Sequence, residues 1–213
     1  MKHAHRYLAI LVFLLAMQPA MAIEEPAFEV LVTADDYEIR RYSPYIVAEV
    51  DVDGDMKKTG NDAFRILAGY IFGDNEPGQK MAMTAPVTTK PAAQGQRMNM
   101  TAPVLSSPAV DATEAYTYAF VMESRFSMES LPKPLDSRIR LVEIPSRVVA
   151  ARRYSGSWSN KNFLKNQGAL LGALQDDSVV LSGQPWLARY NSPLKPWFLR
   201  RNEVLVEIEW HDE

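Results

Sequence analysis

The order of local patterns in this chain is written twice, and that repetition limits the folds open to it more than any other feature. From Phe28 the pattern runs strand, turn, strand, helix. Tyr37-Glu38-Ile39-Arg40 alternates polar and apolar residues, Ser43-Pro44 turns, Tyr45 to Val52 resumes a β-rich run, and Asp53-Gly54 closes it. The period then changes: Phe64, Leu67, Ala68 and Ile71 fall at i, i+3, i+4 and i+7. This predicts an amphipathic helix with Thr59 or Asn61 at its N-cap and Gly73 beyond its end. The second copy begins with a strand-like run from Arg138 to Ile144, turns at Pro145-Ser146 and resumes over Val148 to Tyr154. It passes Gly156 and a cap at Asn160 to reach a second helical face of Phe163, Leu170, Leu171 and Leu174. Val47 with Val149, Ala48 with Ala150, and Gly54 with Gly156 are each 102 residues apart. A shared order at a fixed offset predicts an internal duplication, with pseudo-repeats over about residues 28–125 and 138–210.

Each predicted helix is followed by strands. Tyr116, Tyr118, Phe120 and Met122 alternate in one half; Val204, Val206, Ile208 and Trp210 alternate in the other, with Glu203, Glu207 and Glu209 out of phase. Duplicated ββαββ-like units of this kind predict an α+β protein. Its sheets would form a distorted antiparallel barrel or a two-sheet core with two helices outside, an arrangement that readily leaves a cleft.

The first 22 residues follow a different grammar. Lys2 and Arg6 precede an apolar stretch of 11 residues, Tyr7 to Met17, and Ala20-Met21-Ala22 offers a small-x-small cleavage pattern. The stretch is shorter than the roughly 20 residues a spanning helix needs. Residues 1–22 therefore read as a secretory signal and 23–213 as the mature domain, with an uncleaved anchor as the alternative and the periplasm as the expected location. Cleavage removes two basic residues and two of the three histidines, leaving His211. A formal charge of -3 for the whole chain offers no field to gather phosphate backbones, so nucleic acid is not an expected partner. With no cysteine, disulfides, thiolate catalysis, Cys-ligated zinc, iron–sulfur clusters and covalent haem attachment are all excluded.

One short sequence also occurs twice: KMAMTAPV at Lys80 to Val87 and RMNMTAPV at Arg97 to Val104. In an extended chain Met81, Met83 and Ala85 share a face, as do Met98, Met100 and Ala102. Pro86 and Pro103 cannot donate to a sheet ladder, which predicts edge strands or bulges. Flexible, polarizable methionine suits a wall around a large flat ligand, and equally it fills cores. A second dense region, Tyr190 to Trp197 followed by Arg200-Arg201-Asn202-Glu203, sets cations and aromatics around a Pro-stiffened loop. Arginine forks there suit the acidic arms of a ligand, and an ordinary solvated edge has the same composition.

YEIRRYSP at Tyr37 to Pro44, KMAMTAPV, YNSPLKP at Tyr190 to Pro196 and RRNEV at Arg200 to Val204 together resemble the SOUL/haem-binding protein family, in order and over essentially the whole mature chain. The resemblance implies a duplicated α+β fold with a distorted barrel-like sheet, also seen in effector-binding domains of bacterial regulators. It also implies noncovalent binding of haem or a related tetrapyrrole. On that footing Met81, Met83, Met98, Met100, Tyr190 and Trp197 are the candidates for the slot, and Lys195, Arg200 and Arg201 for the propionates. Members proposed to use an axial histidine carry it directly after Tyr-Glu-Ile-Arg, where this chain has Arg41. No histidine ligand is expected, and Tyr42, Tyr45 or a methionine remain open as ligands of iron. The implied role is a periplasmic carrier, buffer or scavenger, without stable membrane insertion. The alternative is a module for another small hydrophobic ligand that takes haem as a guest. Catalysis is not expected, since a Ser/His/Asp set, a histidine cluster and G-x-S-x-G are all missing.

Overall fold

The computed structural model describes residues 24–54, 56–91, 115–192 and 194–211. In chain order the elements are β1 (Phe28–Thr33), β2 (Glu38–Tyr42), β3 (Tyr45–Asp53), α1 (Met56–Phe72), β4 (Asn75–Glu76), β5 (Val87–Pro91) and β6 (Ala115–Val121). They continue with β7 (Lys133–Pro134), β8 (Arg140–Ile144), β9 (Arg147–Tyr154), α2 (Asn160–Asp176), β10 (Trp186–Arg189), a 3-10 turn (Trp197–Leu199) and β11 (Asn202–Glu207). Nine strands form one antiparallel sheet in the order β1-β2-β9-β11-β10-β5-β6-β3-β8, and β4 pairs with β7 in a small second sheet. This is the expected α+β class, realised as one curled sheet. Apart from β1, the order is mirrored about the β10–β5 pair, with β2 matching β8, β9 matching β3, and β11 matching β6. Leaving β1 aside, the outer strand of each side comes from the opposite half of the chain, since β2 pairs with β9 and β8 with β3.

Register places both helices on the same face. Leu187 lies opposite Thr89, and Thr89 opposite Tyr118; residues directly opposite in a ladder point to the same side. Leu187 packs with Phe163, Leu170 and Leu174 of α2, and Tyr118 packs with Leu67 and Tyr70 of α1. The central strands β10 and β5 thus form the floor of a seam between the two helices. The other face is also closed: Val149, Ala151, Trp186, Ala188, Tyr190 and Leu205 are buried there as one cluster, because the sheet curls onto itself.

Some expected boundaries move, each for a local reason. Helix α1 starts at Met56, so Thr59 sits inside it, with its hydroxyl 2.7 Å from the Tyr118 hydroxyl. Ser159 rather than Asn160 caps α2, accepting from the Asn162 amide. The first methionine segment forms no strand before Pro86; the chain then enters β5, which lies mid-sheet between β6 and β10 and not at an edge. The β-branched residues Val87, Thr88 and Thr89 carry that ladder, and Pro86, which has no N–H to give, stays outside it. Trp210 also falls outside its expected strand, because β11 ends at Glu207 and Ile208 makes only a bridge to Leu181. Gly54 and Gly156 precede the two helices with φ of 123° and 127°, a region that disfavours a Cβ.

Candidate functional site

The segment from Asn191 to Arg201, linking β10 to β11, stands out by its apolar exposure. Leu194 is 94% exposed and Trp197 60%, and Phe198 and Leu199 are also exposed. Large apolar side chains exposed together on one loop mark a place where something binds. The loop backbone is pinned. The Gly156 N–H donates to the Trp197 carbonyl at 3.1 Å, the Arg200 Nε donates to the Lys195 carbonyl at 2.8 Å, and the Arg201 N–H donates to Asn191 Oδ1 at 2.6 Å. Trp197 and Phe198 meet edge to face at 5.5 Å.

Behind the loop lies Trp158, whose Nε1 donates to Asn202 Oδ1 at 2.8 Å. Two guanidinium groups lie over its ring, Arg200 at 4.3 Å and Arg189 at 5.2 Å from the ring centroid. Arg189 is the last residue of β10 and points into the seam. A Cβ added to Gly60 of α1 would stand 3.9 Å from Arg189 Nη1 and 3.8 Å from the Tyr118 hydroxyl. These are ordinary contact distances, so α1 passes directly beside the guanidinium at Gly60. Burial pulls the Arg189 pKa below its ordinary value, against an opposing pull from the Tyr118 and Tyr154 phenols. Tyr154 is itself pushed up to about 12 by burial.

The remaining expected site residues are not gathered at this loop. Tyr190 points to the other face, where its hydroxyl donates to Glu203 Oε2 at 2.8 Å and Arg201 lies 3.7 Å over its ring. Arg201 is held by two carboxylates, Glu203 at 2.9 Å and Glu25 at 3.0 Å. Glu203, 0% exposed, also binds Arg40 at 2.8 Å. Burial alone would raise the Glu203 pKa; the Arg40 and Arg201 charges and the Tyr190 hydroxyl overcome it and hold the carboxyl below its ordinary value. Met81 is 6% exposed in the core under α1, with its N–H on the Ile71 carbonyl at 2.8 Å, and Met83 packs against the same core. Ile71 is eleven residues along α1 from Gly60, about 17 Å by helical rise. Met81 thus packs near the far end of α1 from the seam, and on the sheet face opposite Tyr190. Met98 and Met100 lie outside the described residues. Of the expected residues, the structure brings Trp197, Lys195 and Arg200 together on one loop.

A surface cavity of about 570 Å³ lies elsewhere, between the N-terminal segment and the loop after β6. Glu24, Glu25, Glu123, Glu129 and Glu143 are among its lining residues, a rim that repels anionic ligands. Among the described residues no cluster of three or more His, Cys, Asp or Glu could hold a metal ion, and no helix is long and apolar enough to cross a membrane.

Trp158 and Arg189 are the two residues of this region that pattern reading passed over. The sequence signal was present for Arg189. In Trp186-Leu187-Ala188-Arg189 it is in phase with Leu187, so a strand there puts a cation on the same face as a buried leucine.

Solved structures with this architecture define the fold class. The chain is similar to the C-terminal domain of EcmrR, with a TM-score of 0.58 and 12% identity over 81% of this chain and 98% of that one. It is also similar to a hydrolase from Listeria innocua, with a TM-score of 0.55 and 11% identity over 84% and 94%. At such identities the likeness concerns the fold alone. Sequence comparison goes further, because the SOUL heme-binding protein family matches residues 23–95 and 90–207. The chain belongs to that family. It is 29% identical to heme-binding protein 2 of Homo sapiens over 206 residues, covering 89% of this chain and 92% of the human protein. It is 27% identical to heme-binding protein 2 of Mus musculus, over 87% and 90%.

Proposed function

We propose that this chain binds a tetrapyrrole noncovalently, haem or its metal-free parent, as a periplasmic carrier, buffer or scavenger rather than a catalyst. The observation that carries this reading is the pinned loop with Leu194, Trp197, Phe198 and Leu199 held out to solvent. A macrocycle asks for apolar surface against its rings and for cations near its two propionates. The loop's aromatic and aliphatic side chains meet the first need, and Lys195 and Arg200 the second. Among the described residues the only histidine is His211, exposed near the C-terminus, so the residues present fit the macrocycle better than they fit iron. Haem supplies its own iron chemistry when bound; this chain's residues hold the ring and its acids. In this reading Met81 and Tyr190 act through packing. The mirrored strand order and the matching φ of Gly54 and Gly156 support treating the two halves as copies of one unit. The periplasmic role takes residues 1–22 as an export signal, on their sequence pattern alone.

Titration with haemin and with metal-free protoporphyrin IX tests the proposal. A red-shifted Soret band, quenched tryptophan fluorescence and affinities alike within about threefold are expected, with a loss of about tenfold or more in Trp197→Ala. An unmoved spectrum with unquenched fluorescence would defeat it. Recovery of a different small hydrophobic molecule from the native protein would favour a broader hydrophobic-ligand module.

A further inference from the structure

Three arginines among the described residues have a buried Nε with no hydrogen-bond partner: Arg147, Arg152 and Arg189. Two of them have a carboxylate nearby, Asp36 at 2.5 Å from Arg152 and Glu207 at 3.9 Å from Arg147. Arg189 has none among the described residues; its recorded neighbours are the Trp158 ring, the two phenols Tyr118 and Tyr154, and the backbone of Gly60. On the adjacent strand Thr89 Oγ1 is likewise buried and unpartnered, and register puts Thr89 on the same sheet face as Leu187 and Arg189. A buried guanidinium nitrogen and a buried hydroxyl therefore occupy diagonal positions on the floor of the seam, near the apolar loop.

We propose that Arg189 is the anchor for a carboxylate of the bound ligand, received in the seam between α1 and the Trp158 end of α2. The class of ligand is an aromatic or macrocyclic acid, and for a tetrapyrrole the anchored group is a propionate. A guanidinium matches a carboxylate in two parallel hydrogen bonds, and low dielectric strengthens the pair. Thr89 offers a hydroxyl on the same face of the seam. Trp158 lies against the guanidinium on one side, and α1 passes beside it at Gly60. This assignment rests on the tetrapyrrole reading for the identity of the ligand, and on the seam's own geometry for the charge.

The experiment compares protoporphyrin IX with its dimethyl ester, which has the same rings and no acid, on the wild-type protein, Arg189→Gln and Arg189→Lys. The wild type is expected to prefer the acid by about ten- to a hundredfold. Arg189→Gln is expected to lose most of that preference, keeping only the part that Lys195 and Arg200 supply at the loop. Arg189→Lys keeps more of it. Equal binding of acid and ester by the wild type overturns the anchor, as does a preference that survives undiminished in Arg189→Gln; both results leave the tetrapyrrole reading standing. The wild-type comparison needs no variant to fold, and far-UV circular dichroism checks the two that are made. If the wild type binds neither porphyrin, the tetrapyrrole reading falls and the anchor is judged with 2-naphthoate against 2-naphthamide, followed by tryptophan fluorescence. A response to the acid alone that disappears in Arg189→Gln upholds the anchor, and any other result ends it.

Discussion

Arg40 and Arg189 are both arginines on strands of one sheet, and their surroundings are opposite. Arg40, 4% exposed, reaches Glu203 at 2.8 Å and Glu38 at 2.7 Å and lies 4.6 Å over the Phe28 ring. Burial works against its charge, and the Glu203 carboxylate outweighs burial and raises its pKa. Arg189 has an aromatic ring and two phenols where Arg40 has acids, and burial wins. A guanidinium already paired has no valence left for a visitor; an unpaired one keeps it. The face with Arg40, Glu203, Arg201 and Tyr190 is thus committed to holding the sheet closed, and the face with the helices keeps a charge in reserve.

The largest consequence concerns Glu203. Glu203→Leu is expected to cost about 3 kcal/mol in urea unfolding, the low end for a broken buried pair because Arg40 keeps Glu38 and Arg201 keeps Glu25. A loss under about 1 kcal/mol would mean that the network is not a main tie across the sheet. Acid acts on the same group. Because the folded protein holds the Glu203 pKa below its ordinary 4.5, its contribution is complete above that value and is lost as pH falls through the folded value. The urea midpoint should therefore drop as pH falls from the ordinary 4.5 through the lower folded value, and the drop should be shallower in Glu203→Leu. For Arg189 the sign reverses: Arg189→Met removes an unpaired desolvated cation and is expected to leave stability unchanged or raise it by about 1 kcal/mol, while porphyrin affinity falls. A destabilisation of about 2 kcal/mol or more would place Arg189 in the same structural role as Arg40. Smallest is Trp197→Ala, expected to shift stability by less than about 0.5 kcal/mol because the ring is largely exposed, with its effect confined to ligand titration.

Periodicity made much of the fold legible. The apolar alternation of Tyr118, Phe120 and Met122 lies against α1, and Phe163, Leu170 and Leu174 are buried where the helical spacing places them. Pairing between distant strands was not legible, because alternation tells a residue's phase and never its partner. That is why β5 was expected at an edge when it lies mid-sheet, and why Met81 and Tyr190 were expected in one slot when they lie on opposite faces. The cations of Arg200-Arg201 looked equivalent as text, yet one lies over Trp158 and the next is clamped by Glu25 and Glu203. Consecutive residues of an extended chain point in opposite directions, and only the surrounding partners decide what each one meets.

The exchange of outer strands between the halves has a consequence for how the molecule is made. Ile39 finds its ladder partner at Ala150, and Val47 finds one at Val142. Neither half can finish its own sheet, so the nascent chain has no early, self-sufficient intermediate to rest in. Completing the outer strands must wait for residues 38–53 to meet residues 140–154, a non-local pairing that favours slow closure. A fragment severed near its middle should recover order only when mixed with its complement.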